Sequence, residues 1–202
     1  MIENLLTPGT PGYEAARRPW AGRFHDVRPA AIARCGSARD VAAALMAARR
    51  DAMPFAVRAG GHCFAGRSST PGLLVDVGPM DAVHVHGDHV TTGAGALLGP
   101  VYDALAARGL AIAGGCGPTV GIAGLTLGGG LGILGRRHGL TSDGLVAAEV
   151  VTADGRIVVC DAECEPDLFW ALRGAGGCRV GVVTSLTLRT VPAPPTTTLH
   201  AR

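Results

Sequence analysis

The chain has 202 residues, 48% of them hydrophobic and 17% charged, so it can bury a sizeable core and is too apolar to be disordered. A formal net charge of +2 gives no reason to expect nucleic acid or an anionic membrane as a partner. With 31 glycines and only 4% aromatics, close approaches are expected from backbone and not from large side chains.

The opening stretch, "MIENLLTPGTPGYEAARRPW", lacks a basic segment followed by an apolar one. No secretory signal is expected, and the expected compartment is cytoplasmic. No apolar run reaches membrane-spanning length, because "GIAGLTLGGGLGIL" is short and broken by glycine. The six cysteines are scattered, none in a Cys-x-x-Cys pair, which argues against a zinc ribbon and for buried free thiols.

"RPAAIARC" (28–35) reads as a strand. "SARDVAAALMAARRD" follows as a helix, with Ser37 as N-cap and Val41, Ala44, Leu45 and Ala48 at helical spacing. "PFAVRAGG" is a strand running into a glycine loop, and "GLLVDV" is another strand. "DAVHVHGDHVTTGAG" is a hairpin turning at Gly87-Asp88. "LLGPVYDALAARGL" is a helix ended by Gly109. Residues 113–140 form a glycine-dense stretch. "LVAAEVVTADGRIVVC" is a second hairpin, turning at Asp154-Gly155. "EPDLFWALRGAGG" is a short helix, "RVGVVTSLTLRTVPAP" a last strand, and "PAPPTTTLHAR" a linker. Strands that occur both in hairpins and between helices predict an α+β fold. The glycines lack the context of a Rossmann fingerprint, and no Gly-Lys-Ser/Thr P-loop is present.

His62 stands between a glycine pair and a soft polar loop. His84, His86 and His89 have no acidic neighbours at ligand spacing, so a metal site is not expected. Ser68 and Ser69 lie near His62, but no nucleophile elbow accompanies them. Two glycine-rich stretches with few charges suit a large anionic cofactor, since backbone N–H groups in tight turns bind phosphate oxygens. One loop offers Arg58, Ala59, Gly60 and Gly61 with Ser68 and Ser69. The other offers Gly114–Gly121 and Gly128–Gly130.

The segments "VRAGGHCFAGRSS", "LLVDV", "GCGPTVGIAGLTLGGGLGILGRRHGLTSDGLVAAEVVTADGRIV" and "DLFWALRGAGG…GVVTSLTLR" resemble the FAD-binding domain of the berberine bridge enzyme-like flavoproteins, in the vanillyl-alcohol oxidase superfamily. The likeness spans nearly all of 12–195. It implies a p-cresol methylhydroxylase-type fold: two α/β subdomains, 1–80 and 81–195, clasping FAD, with 196–202 leading to an absent substrate domain. It implies a covalent bond from His62 to the 8α-methyl group. The backbone of Arg58, Ala59, Gly60, Gly61 and His62, together with Ser68 and Ser69, is expected to wrap the pyrophosphate. So are Pro118, Thr119, Val120, Gly121, Gly124, Leu127, Gly128, Gly129 and Gly130. Asp143 is expected near the adenine or ribose, and Val182 and Val183 against the cofactor.

Three departures qualify the likeness. Where many members have Cys directly before the Pro of Cys-Pro-x-Val-Gly, this chain has Gly117, with Cys116 one residue earlier. A second, 6-S-cysteinyl link through Cys116 and an unlinked thiol near the ring both stay open. Gly177-Cys178-Arg179-Val180-Gly181 replaces the usual Gly-Gly-Asn-Phe-Gly. The sequence stops where the family's substrate domain, which carries the general base, would be expected to begin. The implied chemistry is oxidation of an alcohol, sugar or amine carbon, with hydride passing to flavin N5 and oxygen reoxidising the flavin. A small-molecule substrate and oxygen are the implied partners. The alternative is a truncated, inactive flavin-binding module or half of a split enzyme. With no roof over the flavin, little turnover and self-association are expected of this chain alone.

Overall fold

The structure is a computed structural model that describes residues 4–175 and 180–195. Two sheets carry the chain. The first is built from β1 (Leu5–Leu6), β2 (Ala31–Arg34), β3 (Phe55–Arg58) and β4 (Leu73–Asp76) in the order β1-β2-β4-β3. The strands β2, β4 and β3 are parallel, and β1 closes the edge antiparallel to β2. The loop that holds His62 joins β3 to β4, so it leaves the sheet at the carboxyl end of β3. Crevices outside the carboxyl ends of parallel strands are where α/β sheets usually bind ligands.

The second sheet is antiparallel: β5 (Val83–His86), β6 (His89–Gly93), β8 (Leu145–Val151), β9 (Ile157–Asp161) and β10 (Val182–Arg189), in the order β5-β6-β10-β8-β9. Both hairpins form as their sequences predict. His86 pairs with His89 across Gly87-Asp88, and Val151 pairs with Ile157 across the Asp154-Gly155 turn.

Helix α2 (Ala38–Arg50) sits between the sheets, against β2 and β4 on one side and β8 and β9 on the other. Val41, Ala44, Leu45 and Ala48, the predicted apolar stripe, are all buried. The Ser37 hydroxyl accepts from the Asp40 N–H at 3.2 Å, a cap that contributes about 1 kcal/mol. One continuous core runs from Ala33 and Val75 of the first sheet to Val150 and Leu186 of the second.

The remaining elements depart from the sequence reading. A short helix α1 (Tyr13–Arg17) precedes β2, and its Tyr13 is buried with its hydroxyl donating to Pro29 O at 2.6 Å. Neither α1 nor β1 has enough length to show a period. Helix α3 (Leu98–Ala106) stops three residues before Gly109. The chain then forms β7 (Leu110–Ala111), which pairs with β11 (Val191–Pro192). The glycine-dense stretch contains two helices, α4 (Ile122–Leu127) and α5 (Gly135–His138). Burial of Ile122, Ala123 and Thr126 on one face outweighs the poor helix propensity of glycine there. Helix α6 (Pro166–Leu172) is shorter than its predicted span. The Cys178 and Arg179 positions and the 196–202 tail lie outside the described residues. No helix among those residues is long and apolar enough to cross a membrane.

Candidate functional site

Two glycine loops meet backbone to backbone. A Cβ built on Gly60 would lie 2.5 Å from Gly121 N and 2.7 Å from Thr119 O. One built on Gly121 would lie 2.7 Å from Gly60 N. Only glycine at both positions lets the β3–β4 loop touch the turn that opens α4. That contact carries the second loop to His62, whose Nε2 lies 3.0 Å from Thr119 Oγ1. The imidazole also stacks on Trp20, with ring centroids 4.2 Å apart and an angle of 15° between planes. Half-burial lowers the His62 pKa below its ordinary 6.5, with hydrogen bonding to the Thr119 backbone partly opposing the shift.

Arg58 faces away from the loop opening. It is buried, with Nε donating to Ser68 O at 2.9 Å and Nη1 to Ala16 O and Arg17 O at 2.9 and 2.8 Å. Nη2 donates to Ser69 Oγ at 3.2 Å. The guanidinium is thus a brace tying the 68–69 turn to the end of α1. The Arg58 backbone belongs to the sheet, with Arg58 O accepting from Val77 N at 2.9 Å.

The donor set fits an anionic cofactor. The consecutive N–H groups of Ala59, Gly60, Gly61 and His62 donate to no acceptor among the described residues. Gly61 is buried and has φ +72°, the left-handed turn that makes neighbouring N–H groups converge. Buried backbone donors in proteins are nearly always paired, so the Gly61 N–H, the buried member of this row, calls for an acceptor from outside the chain, with the half-buried Ala59, Gly60 and His62 flanking it. Gly124 gives a second sign. It is exposed within α4 and a Cβ there would meet nothing within 4 Å, so no internal contact requires a glycine.

The rest of the second loop is clipped in place. Gly129 O and Gly130 O accept from Ser142 N and Thr141 N at 2.8 and 2.9 Å. Gly128 is exposed, Leu127 half-buried, Pro118 and Thr119 exposed and Val120 half-buried. Asp143 Oδ2 accepts from Leu140 N at 2.8 Å, so this carboxylate closes its own turn. Cys116 is exposed and unpaired. Val182 and Val183 lie on the central strand of the antiparallel sheet and are covered by the protein's own core. Sequence reasoning missed Trp20, and no local motif marks it. It also missed that Thr119 reaches the histidine.

A parallel three-strand unit joined to an antiparallel five-strand sheet, with facing glycine loops and a histidine between them, defines a domain for an extended phosphorylated cofactor. The family described as "FAD binding domain" matches residues 29–161, and the chain belongs to it. The chain is 37% identical over 193 residues to (R)-6-hydroxynicotine oxidase of Paenarthrobacter nicotinovorans, covering 94% of this chain and 42% of that protein. The solved structure of BBE-like 1 from Physcomitrella patens superposes with a TM-score of 0.88 at 34% identity, covering 93% of this chain and 42% of that one. A glucooligosaccharide oxidase of Acremonium strictum, described with a 6-S-cysteinyl, 8α-N1-histidyl FAD, superposes with a TM-score of 0.88 at 34% identity, covering 95% of this chain and 41% of that one. The chain thus spans less than half the length of these proteins. The resemblance to berberine bridge enzyme-like flavoproteins holds, the fold is that of their FAD-binding domain, and FAD is its cofactor.

Proposed function

We propose that this domain holds FAD covalently through His62 and serves an oxidase of a small alcohol, sugar or amine. FAD, when bound, supplies a two-electron acceptor for a substrate hydride and passes the electrons to dioxygen. The observation that carries the reading is the unsatisfied N–H row from Ala59 to His62 beside a histidine whose Nδ1 has no partner among the described residues. This row, with the α4 turn at Pro118–Gly121 and Gly124, receives the pyrophosphate. The Arg58 brace and Ser68–Ser69 keep the loop in shape. The 127–130 segment and the Asp143 turn, clipped together, border the nucleotide. Val182 and Val183 support the sheet behind.

The names of the relatives, oxidases of a hydroxynicotine and of glucooligosaccharides, favour a small-molecule substrate and oxygen as partners. The division into subdomains 1–80 and 81–195 rests on the first sheet lying within residues 5–76 and the second within 83–189. A cytoplasmic location is favoured by free thiols at all five described cysteines. Self-association is favoured by Leu131, Ile133 and Leu140, all exposed in one segment; Ile133 is 84% exposed.

The test is to add FAD to the purified chain and measure flavin absorbance before and after acid precipitation. Flavin that stays with the precipitate is the expected result. A chain whose FAD all passes through a desalting column would overturn the reading.

Cys116 adds a narrower expectation. The Gly117 that separates it from Pro118 shifts its side chain by one position in a tight turn. Cys116→Ala should therefore leave flavin retention and spectrum unchanged. Flavin mapped by mass spectrometry to a Cys116 peptide would contradict this.

A further inference from the structure

Trp20 is 58% exposed, yet its ring lies flat on His62. An exposed tryptophan contributes little to a core, so its position calls for another reason. Its backbone is held firmly. His25 Nε2 lies 2.9 Å from Pro19 O, and Ala21 N donates to Gly61 O at 3.5 Å. A Cβ on Gly61 would lie 3.1 Å from Trp20 N and 3.2 Å from Pro19 Cα, so glycine there lets the Pro19–Trp20 segment lie against the loop. The segment before β2 is thus seated beside the histidine, with Trp20 on the ring face and Thr119 Oγ1 at Nε2.

We infer that Trp20 is a positioning residue for flavin attachment: with Thr119 it clamps the His62 imidazole so that Nδ1 alone is presented to the flavin. This rests on the reading of His62 as the attachment residue. Attachment forms one N–C bond to the 8α carbon and breaks one 8α C–H bond. The imidazole gives up its single N–H proton. Two electrons and two protons leave to dioxygen as hydrogen peroxide. While the bond forms, positive charge grows on the ring. In the tautomer this inference assigns, Nε2 carries the proton and donates to Thr119 Oγ1, which directs the lone pair to Nδ1 and stabilises that charge. The tryptophan face does the same from above, as an aromatic quadrupole attracts a cation. The clamp also removes the freedom of the ring to swing, and a misplacement of about 1 Å can cost about a hundredfold in rate.

The experiment follows acid-stable flavin against time after FAD is added to the full chain. Reversible FAD affinity is measured in parallel by flavin fluorescence. Trp20→Ala should slow attachment by about tenfold or more while reversible affinity changes by less than about threefold. Trp20→Phe, which keeps an aromatic face, should restore most of the rate. Trp20→Leu keeps apolar bulk without that face and should remain slow, so a folding defect in the alanine variant does not decide the matter. Proton NMR of the chain without FAD should place the His62 ring signals upfield of the other histidines, and this offset should vanish in Trp20→Leu. Wild-type protein that attaches FAD while Trp20→Ala attaches it equally fast overturns the inference alone. So does a Trp20→Leu chain as fast as Trp20→Phe. Wild-type protein that binds FAD and never attaches it overturns the attachment reading and this inference with it.

Discussion

His62→Ala should convert a chain that keeps its flavin through acid precipitation into one that releases all of it. Reversible binding should survive. The N–H donors at Ala59–His62 are backbone, and the Gly60–Gly121 contact that brings the loops together does not involve the imidazole. The substitution removes the Thr119 hydrogen bond and the Trp20 stack from a half-buried ring, a loss of about 1–2 kcal/mol. Thermal stability should therefore fall by only a few degrees while covalent retention disappears.

The same histidine gives a pH dependence. Burial lowers its pKa from 6.5, so near neutral pH the imidazole keeps the lone pair that attachment needs. The attachment rate should be flat around neutral pH and fall on acidification, with the fall lying at lower pH than the titration of an ordinary imidazole. The stability linkage has the same direction. The folded state takes up the His62 proton less readily than the unfolded chain, so this group's share of stability is lost as pH falls. Rates measured between pH 5 and pH 8 check the first statement. A rate that rises on acidification would show that the protonated ring is the competent form.

The parts of the fold that could be read from sequence are those where a local rule and the tertiary structure agree. Helix α2 has its cap at Ser37 and its stripe at Val41, Ala44, Leu45 and Ala48, and all of them do what the spacing says. The two hairpins turn at Gly87-Asp88 and Asp154-Gly155, where turn chemistry and strand alternation coincide. The unread parts depend on partners distant in the chain. β1 and α1 are too short for a period, and β1 is ordered by pairing with β2. Helix α4 is written in residues that disfavour helix and is held by burial of Ile122 and Thr126. Within the site, the glycines and His62 announce themselves by type. The arginine of the same motif gives no local sign of where its side chain goes, which is back to the carbonyls of Ala16 and Arg17. No pattern within the 57–70 stretch could indicate that Trp20 would cover the histidine.

The glycines of the site should separate into two kinds when each is replaced by alanine. At Gly60 the added Cβ meets Gly121 N and Thr119 O, both backbone atoms that cannot rotate aside. One loop must move, and overpacking of this kind typically costs about 1–3 kcal/mol, the upper end applying where backbone must shift. For a chain of this size that lowers the melting temperature by roughly 10 °C. The same movement separates Thr119 from His62, so covalent flavin should be lost along with stability. At Gly124 the added Cβ meets nothing, and α4 exchanges its poorest tolerated residue for its best. Gly124→Ala should therefore stabilise the chain without FAD, by up to about 1 kcal/mol. If that open face receives the cofactor, the methyl group occupies its space, and FAD affinity should fall although the protein has become more stable. Melting curves with and without FAD measure both quantities at once. A Gly124→Ala chain that is more stable and binds FAD as tightly as the wild type would place the cofactor away from α4. The Ala59–His62 row would then be the sole cradle on this side of the site.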